Sequence, residues 1–280
     1  MSTHIDEVKK REKDFHDAVY DTPLSPVDVE AMQNFSMGHS YATGNHYRSD
    51  NLRALHKIIN EQWRGKIVLE YVCGPGGYAV YFGLVGAKEV YGFDISETAI
   101  RRARERVEAQ GLADKVHLDV MDATKLDYKD DFFEIVTGHA VLHHVIKYPG
   151  IAKELYRVMK PGSKAYFFEN LADFPLFRLW WKLKGDALEG EPRNRWFSFV
   201  HDMGVPIFAK EVREKFNMFS KVEIIGDDFL FSLKRFIWKS NMGRARRIIL
   251  RGLKKADEIL FKICPPLRRW GCFSYIILTK

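Results

Sequence analysis

The stretch that decides the fold is Val68-Leu69-Glu70-Tyr71-Val72-Cys73-Gly74-Pro75-Gly76-Gly77. It joins an apolar run to an acidic residue, a glycine cluster and the start of a helical pattern. This order is typical of a parallel strand that leads into a loop whose backbone contacts a nucleotide-like ligand. The glycines let the main chain approach that ligand closely, because no Cβ stands in the way.

A second strand with the same kind of ending follows this loop. Glu89-Val90-Tyr91-Gly92-Phe93-Asp94 finishes in a carboxylate, eighteen residues after Gly76. The two oxygens of Asp94 can accept hydrogen bonds from both hydroxyls of a ribose. Ile95, the next residue, can pack on an adenine. A strand-end aspartate can also cap a helix, and this alternative stays open.

The arrangement resembles the class I S-adenosylmethionine-dependent methyltransferases, over about residues 52–170. In that family the first strand and its loop read hydrophobic-hydrophobic-acid-x-Gly-x-Gly-x-Gly. Glu70 stands at the acid, and Gly74 and Gly76 fill the last two glycine positions, whereas Val72 holds the first. The resemblance implies S-adenosylmethionine as the cofactor and methyl transfer as the reaction.

The resemblance also implies a role for each residue at the strand ends. Glu70 faces the methionine amino group, and Asp122, which follows the third strand, accepts from the adenine amino group. Val72 adds three carbons near the cofactor, so we expect either a shifted loop or lost affinity, and favour the second. The candidate cofactor-binding residues are Glu70, Val72, Gly74, Gly76, Asp94, Ile95, Asp122, Ala123 and His139.

The fourth strand leads into Thr137-Gly138-His139-Ala140-Val141-Leu142-His143-His144. In the family this turn lies beside the sulfonium and the acceptor, and one of its carbonyls can meet the cofactor amino group. His139 and His143 are the candidate catalytic bases, since an unperturbed imidazole pKa is about 6.5. Packing or capping is the alternative for each. No metal is expected, because no carboxylate or cysteine completes a ligand set with these histidines.

Strands and helices alternate beyond these motifs. Apolar strands separated by amphipathic helices predict an α/β fold, a Rossmann-like doubly wound and mostly parallel sheet with helical additions. The predicted strands are about 66–72, 88–94, 115–120, 132–139 and 163–169, and the predicted helices about 76–85, 96–110 and 147–159. Family members end with an antiparallel hairpin. Here strands at 222–225 and 272–278 would form this hairpin, and a basic helical insertion at about 232–268 would separate them along the chain.

Three parts are predicted along the chain. Residues 1–48 form an N-terminal arm or lid, and residues 49–170 form the cofactor-binding core. Residues 171–280 hold aromatic and basic helical additions on the acceptor side, with the last two strands of the core. The aromatic side chains between 174 and 199 form either a wall for an apolar acceptor or the core of a subdomain. We favour the wall, and therefore a small hydrophobic or lipid-like acceptor.

Charge is unevenly placed along the chain. Residues 232–280 hold 13 Lys and Arg against 2 Asp and Glu, a net of +11 in a chain whose total is +7. This basic C-terminal segment could bind an anionic membrane surface or a phosphate-bearing substrate. Alternatively, it is a solvated helix face. Nucleic acid is not the expected partner. The three cysteines form no metal spacing and no disulfide framework, and no apolar run approaches the ~20 residues that span a bilayer. We therefore expect a cytoplasmic protein, in part peripheral to a membrane.

Two other functions compete with methyl transfer. The run from Gly74 to Ala79 fits the Gly-x-Gly-x-x-Ala fingerprint of dinucleotide oxidoreductases, which is weak alone. The acids at Glu70 and Asp122 and the fourth-strand turn fit the methyltransferase pattern instead. The second alternative is a methyltransferase-like binding or scaffold protein, in which Val72 impairs cofactor binding.

Overall fold

A computed structural model describes residues 2–21, 62–175, 207–233, 244–271 and 273–280, together with Val27, Val29 and Ile59. The regular elements, in chain order, are α1 Ser2–Tyr20, β1 Ile67–Glu70, α2 Gly77–Leu84, β2 Glu89–Asp94, α3 Glu97–Ala109, β3 Val116–Val120, β4 Phe133–His139, α4 Leu142–Val145, α5 Ile151–Val158, β5 Met159–Asn170, α6 Ala209–Lys215, β6 Lys221–Gly226, α7 Arg244–Ile263 and β7 Phe273–Thr279. Short 3-10 helices cover Leu230–Leu233 and Pro265–Trp270.

The strands form one seven-stranded sheet in the order β3-β2-β1-β4-β5-β7-β6. The first five strands run parallel, and β7 lies antiparallel between β5 and β6. This confirms the predicted Rossmann-like sheet with an antiparallel last strand. The strand order reverses between β1 and β4, so their carboxyl ends flank the crevice in which such sheets bind ligands.

Apolar side chains cover both faces of the sheet. Successive strand residues point to opposite faces, and accordingly Val68 and Leu69 of β1 belong to two different buried clusters. One cluster packs the sheet against α2, and the other packs it against α5. Burial on both faces explains why the strands read as continuous apolar runs.

The predicted strand bounds match the first four strands to within two residues. The fifth strand differs, since it begins at Met159, which pairs with Phe133 before the register shifts. Pairing resumes at Lys164 opposite Ile135, so the Lys160-Pro161-Gly162 turn lies inside β5 rather than before it. The preceding helix begins at Ile151, later than predicted, because Gly150 has a φ of 91°.

The C-terminal hairpin is opened as predicted. Between β6 and β7 the described residues include α7 and the two 3-10 helices. The aromatic stretch after residue 175 lies outside the described residues, as does most of the arm beyond residue 21. None of the described helices is both long enough and apolar enough to cross a membrane.

Candidate functional site

The loop after β1 turns through three left-handed residues. Val72, Gly74 and Gly76 have φ values of 54°, 50° and 69°. At Gly76 a Cβ would lie 2.7 Å from the Cβ of Ala103 in α3, so this glycine lets two helices approach. Val72 holds the same backbone conformation with a β-branched side chain, an outlier that costs of order 1–3 kcal/mol. At the first glycine position of the family pattern, the backbone therefore has a conformation typical of glycine although the residue is Val72.

Glu70 ends β1 as a buried carboxyl group, only 3% exposed. The backbone N–H of Ala79 donates to it. Burial and the nearby Asp94 raise its pKa well above the usual value, and Arg106 only partly offsets them. Within the described part of the chain, Oε2 has no hydrogen-bond partner. A positive or donating group of a ligand could therefore bind Oε2.

Two further polar side chains on the same face also have unsatisfied atoms. Thr137 of β4 is the register partner of Glu70, and His139 lies two residues further along that strand. Strand residues two apart share a face, so the three groups form one buried polar strip. No described residue bonds Oγ1 of Thr137 or either ring nitrogen of His139. Buried polar atoms in native proteins are nearly always paired, so this strip is typical of a ligand or water site.

Asp94 joins the glycine loop to the start of α3. Its Oδ2 accepts from the N–H of Gly74 at 2.9 Å, and its Oδ1 accepts from the N–H of Ser96 at 2.9 Å. The N–H of Ile95 also bonds this carboxylate, and a carboxylate has about four acceptor sites, so Asp94 keeps capacity for a further donor. Burial raises the pKa of Asp94 to about 6. Ile95, beside it, is partly exposed.

Asp122 follows β3 and is already bonded on both oxygens. Its Oδ1 accepts from the N–H and the hydroxyl of Thr124, each at 2.8 Å, and its Oδ2 accepts from Nζ of Lys9 at 2.6 Å. Burial opposes ionisation here, but these bonds outweigh it and lower the pKa of Asp122. Ala123, the next residue, is buried.

Helix α1 lies across this edge of the sheet. Besides the Lys9 contact, Asp17 accepts from the hydroxyl of Ser96 and from the N–H of Thr98. Despite its burial, bonds from Lys13, Ser96 and Thr98 lower the pKa of Asp17 to about 2. A Cβ at Gly74 would lie 3.3 Å from the hydroxyl of Tyr20. The first twenty residues therefore cover the glycine loop and the second and third strand ends. The lid role of residues 1–48 stays a prediction.

The two candidate catalytic histidines have different surroundings. His139 stacks on Tyr78, with ring centroids 3.6 Å apart and planes 7° apart, and burial lowers its pKa to about 3. It is therefore neutral near pH 7. His143 is buried, and its Nδ1 lies 2.9 Å from Oε2 of Glu169. The other Glu169 oxygen accepts from the N–H groups of Val141 and Leu142, which fixes the turn before α4.

Sequence reasoning missed Lys9, Arg106 and Glu169. Glu169 carried a readable signal, because it is an acid near the end of a buried strand, as Glu70 is. Arg106 donates to the carbonyl of Pro75 at 2.9 Å, and Lys9 reaches Asp122 from 113 residues away; neither contact has a local signature. Among the described residues, no cluster of three or more metal-ligating side chains occurs.

Residues 69–167 match the family model described as a methyltransferase domain. Over 146 residues the chain is 30% identical to demethylmenaquinone methyltransferase of Lactiplantibacillus plantarum, which covers 51% of this chain and 60% of that enzyme. Over 116 residues it is 30% identical to sterol 24-C-methyltransferase of Pneumocystis carinii, covering 41% and 30% of the two chains. The alignments thus cover less than two thirds of these relatives.

A solved structure resembles the fold over almost the whole chain. It is the geranyl diphosphate C-methyltransferase of Streptomyces coelicolor, in complex with Mg²⁺, geranyl diphosphate and S-adenosylhomocysteine. The TM-score is 0.58 at 13% identity, and the match covers 97% of this chain and 96% of that one. At this identity the likeness concerns the fold.

Proposed function

We propose that this protein is a class I S-adenosylmethionine-dependent methyltransferase, which transfers a methyl group from S-adenosylmethionine to a small hydrophobic or lipid-like acceptor; the match of residues 69–167 to a methyltransferase domain supports this. One observation carries the proposal. Glu70, Asp94 and Asp122 stand at or just after the carboxyl ends of β1, β2 and β3, which are neighbours in the sheet. An acid in each position suits the ammonium, ribose and adenine amino groups of one extended ligand.

The residues present fit this cofactor. The methionine ammonium would supply the partner that Oε2 of Glu70 lacks among the described residues, and would favour the ionised carboxylate. The remaining acceptor capacity of Asp94 suits a ribose hydroxyl. For the adenine amino group to reach Asp122, the Lys9 contact must loosen or be shared. When bound, the cofactor supplies an activated methyl group on its sulfonium.

The chain itself then has to position the acceptor and, where the attacking atom carries a proton, to take up that proton. Positioning carries much of the catalysis, because the sulfonium methyl is already an electrophile. Of the two candidate bases we favour His143. Its Nδ1 can donate to Glu169, which leaves Nε2 as the basic nitrogen and stabilises the imidazolium that proton transfer would form. His139 is better suited to shaping the cofactor pocket through its stack on Tyr78.

The acceptor class is inferred from the relatives and from composition. Demethylmenaquinone, a sterol and geranyl diphosphate appear in the names of the related proteins, and all are isoprenoid molecules. The aromatic residues between 174 and 199 would supply an apolar wall for such an acceptor. We further propose a cytoplasmic protein that binds an anionic membrane peripherally through the basic residues after 232.

The conformation of Val72 favours a second candidate function. A valine at a φ of 54° is strained and stands where the main chain would pass near the cofactor. In this alternative the protein keeps the fold but binds the cofactor poorly, and acts as a binding or scaffold protein.

Calorimetric titration with S-adenosylhomocysteine tests the proposal. Glu70→Gln removes the charge that would meet the ammonium, and should weaken binding about tenfold or more, or at least 1.4 kcal/mol. Asp119→Asn is the matched control, because this acid on β3 is half exposed and pairs with Arg104 at the surface. Wild-type protein that binds no S-adenosylhomocysteine, but gains binding in Val72→Gly, would favour the scaffold alternative. Equal losses in Glu70→Gln and Asp119→Asn would contradict the site.

A further inference from the structure

Helix α7 is held against the body of the protein along one face. Leu250, Asp257 and Phe261 are at most 4% exposed, and their spacing places them on one side of the helix. The carboxylate of Asp257 accepts from the N–H groups of Phe229 and Leu230 at 3.0 and 2.7 Å. These contacts fix which side of α7 is turned away from the body.

A second anchor lies beside this face. Nζ of Lys254 donates to Asp227 and Asp228, both at 2.8 Å, and these opposite charges raise its pKa in spite of burial. The guanidinium of Arg268 lies 4.5 Å from the ring centroid of Phe261. The rotation of the helix is therefore set by apolar burial, by the bonds of Asp257 to backbone N–H groups and by a partly buried ion pair.

The side turned away carries an apolar stripe. Ile248, Ile249, Ile259 and Ile263 are 58%, 51%, 50% and 77% exposed. At 3.6 residues per turn these four isoleucines fall within an arc of about 100°, roughly opposite the buried residues. A Cβ added at Gly252, within that arc, would meet nothing within 4 Å. Seven large apolar side chains are exposed among the described residues, and four of them form this isoleucine stripe.

Positive charge borders the isoleucine stripe on one side. Arg251, Lys255 and Lys262 are exposed and lie together along one flank of the stripe. On the same helix, Asp257 is buried and engaged by backbone N–H groups, so Glu258, 3.2 Å from Lys255, is the one exposed acid of α7. A rigid surface that combines bulky aliphatic side chains with a cationic border is complementary to the interface of an anionic bilayer.

We infer that α7 is a membrane-docking helix. The isoleucine stripe enters the headgroup and acyl boundary of an anionic bilayer, while the flanking cations contact lipid phosphates. This face of α7 would mediate the peripheral membrane binding proposed above, so the inference rests on that part of the proposed function. Nucleic acid fits this surface less well, because the stripe offers no polar group to phosphates or bases. The helix lies on the membrane and does not span it.

Flotation of the full-length protein with vesicles tests the inference. Vesicles of phosphatidylglycerol in phosphatidylcholine should retain the protein at low salt and release most of it at high salt, whereas pure phosphatidylcholine should retain little. The double variant Ile259→Ser, Ile263→Ser should bind anionic vesicles about tenfold or more weakly. Met218→Ser is the matched control, since Met218 is 43% exposed outside α7. It should bind as the wild type does.

Several outcomes would overturn the inference. They are equal retention on neutral and anionic vesicles, no retention on either, or unchanged binding of the double variant. A wild-type dimer that the double variant breaks, with no vesicle binding, would assign the stripe to a protein interface instead. S-adenosylhomocysteine affinity is measured on every variant. Vesicle binding without cofactor binding would refute the proposed methyl transfer alone, and the reverse pattern would refute membrane docking alone.

Discussion

Replacing Asp94 with alanine separates cofactor binding from folding. The change removes the charged acceptor proposed for the ribose hydroxyls, so cofactor binding should weaken by about 2–4 kcal/mol. This corresponds to a loss of affinity of about 30- to 1,000-fold.

The same change should affect stability much less, because two effects of Asp94 oppose each other. Its net pKa rise from 3.8 to about 6 means that ionised Asp94 costs about 3 kcal/mol at pH 7 relative to its protonated form, and this net figure already includes the bonds from Gly74 and Ser96. Against this, alanine would leave the N–H groups of Gly74 and Ser96 without their acceptor, which costs about 1–3 kcal/mol each. Asp94→Ala removes the first cost and adds the second, so its free energy of unfolding should stay within about 2 kcal/mol of the wild type at pH 7.

Titration with S-adenosylhomocysteine by calorimetry measures the affinity, and urea unfolding followed by circular dichroism measures the stability. Asp119→Asn again serves as the control, and should match the wild type in both measurements. A folded Asp94→Ala protein whose affinity lies within about threefold of the wild type would refute the assignment of this residue, because threefold is well under 1.4 kcal/mol.

Four further predictions follow from the same site. Ribose hydroxyls donate more strongly to a carboxylate than to a carboxylic acid. The affinity for S-adenosylhomocysteine should therefore fall as the pH drops through about 6, the pKa of Asp94. Calorimetry at several pH values should show this fall in the wild type and not in Asp94→Ala. The raised pKa makes the folded state less stable at higher pH. The stability that protonated Asp94 contributes is fully present below pH 3.8 and is lost as the pH rises through about 6. Urea unfolding of the wild type and of Asp94→Ala at several pH values would reveal this loss. Val72→Gly should tighten S-adenosylmethionine binding about tenfold, for about 1.4 kcal/mol of relieved strain; equal or weaker binding would mean that the valine is an accommodated part of the site. Glu169→Gln should lower the methyl-transfer rate about a hundredfold if it positions His143 as the base, with S-adenosylhomocysteine affinity within about threefold; an unchanged rate in the folded variant would exclude this role.

The parallel core could be predicted from the sequence because its central strands are buried on both faces. Continuous apolar runs ending in Glu70 or Asp94 set the strand ends to within two residues, and the glycine spacing indicated the loop. The start of β5 was missed by four residues, since Met159 pairs across a register shift that no local pattern reveals. The left-handed φ of Val72 agrees with the conformation expected at a family glycine position.

The covering of the site could not be predicted in the same way. Lys9 and Asp17 are ordinary charged residues of a polar helix, and their contacts with Asp122 and Ser96 depend on how α1 docks. Helix α7 shows the same limit. The sequence indicated a basic helical insertion, but the burial of Leu250 and Phe261 depends on how this helix packs against the rest of the protein.

The central claim is methyl transfer to a hydrophobic acceptor, and transfer of a labelled methyl group tests it most directly. Wild-type protein is incubated with tritium-labelled S-adenosylmethionine and a lipid extract, and the organic phase is separated and counted. Label is expected in the lipid fraction with the wild type and with Asp119→Asn, and little or none is expected with Asp94→Ala. Wild-type protein that binds S-adenosylhomocysteine yet leaves lipid and polar extracts unlabelled would contradict it.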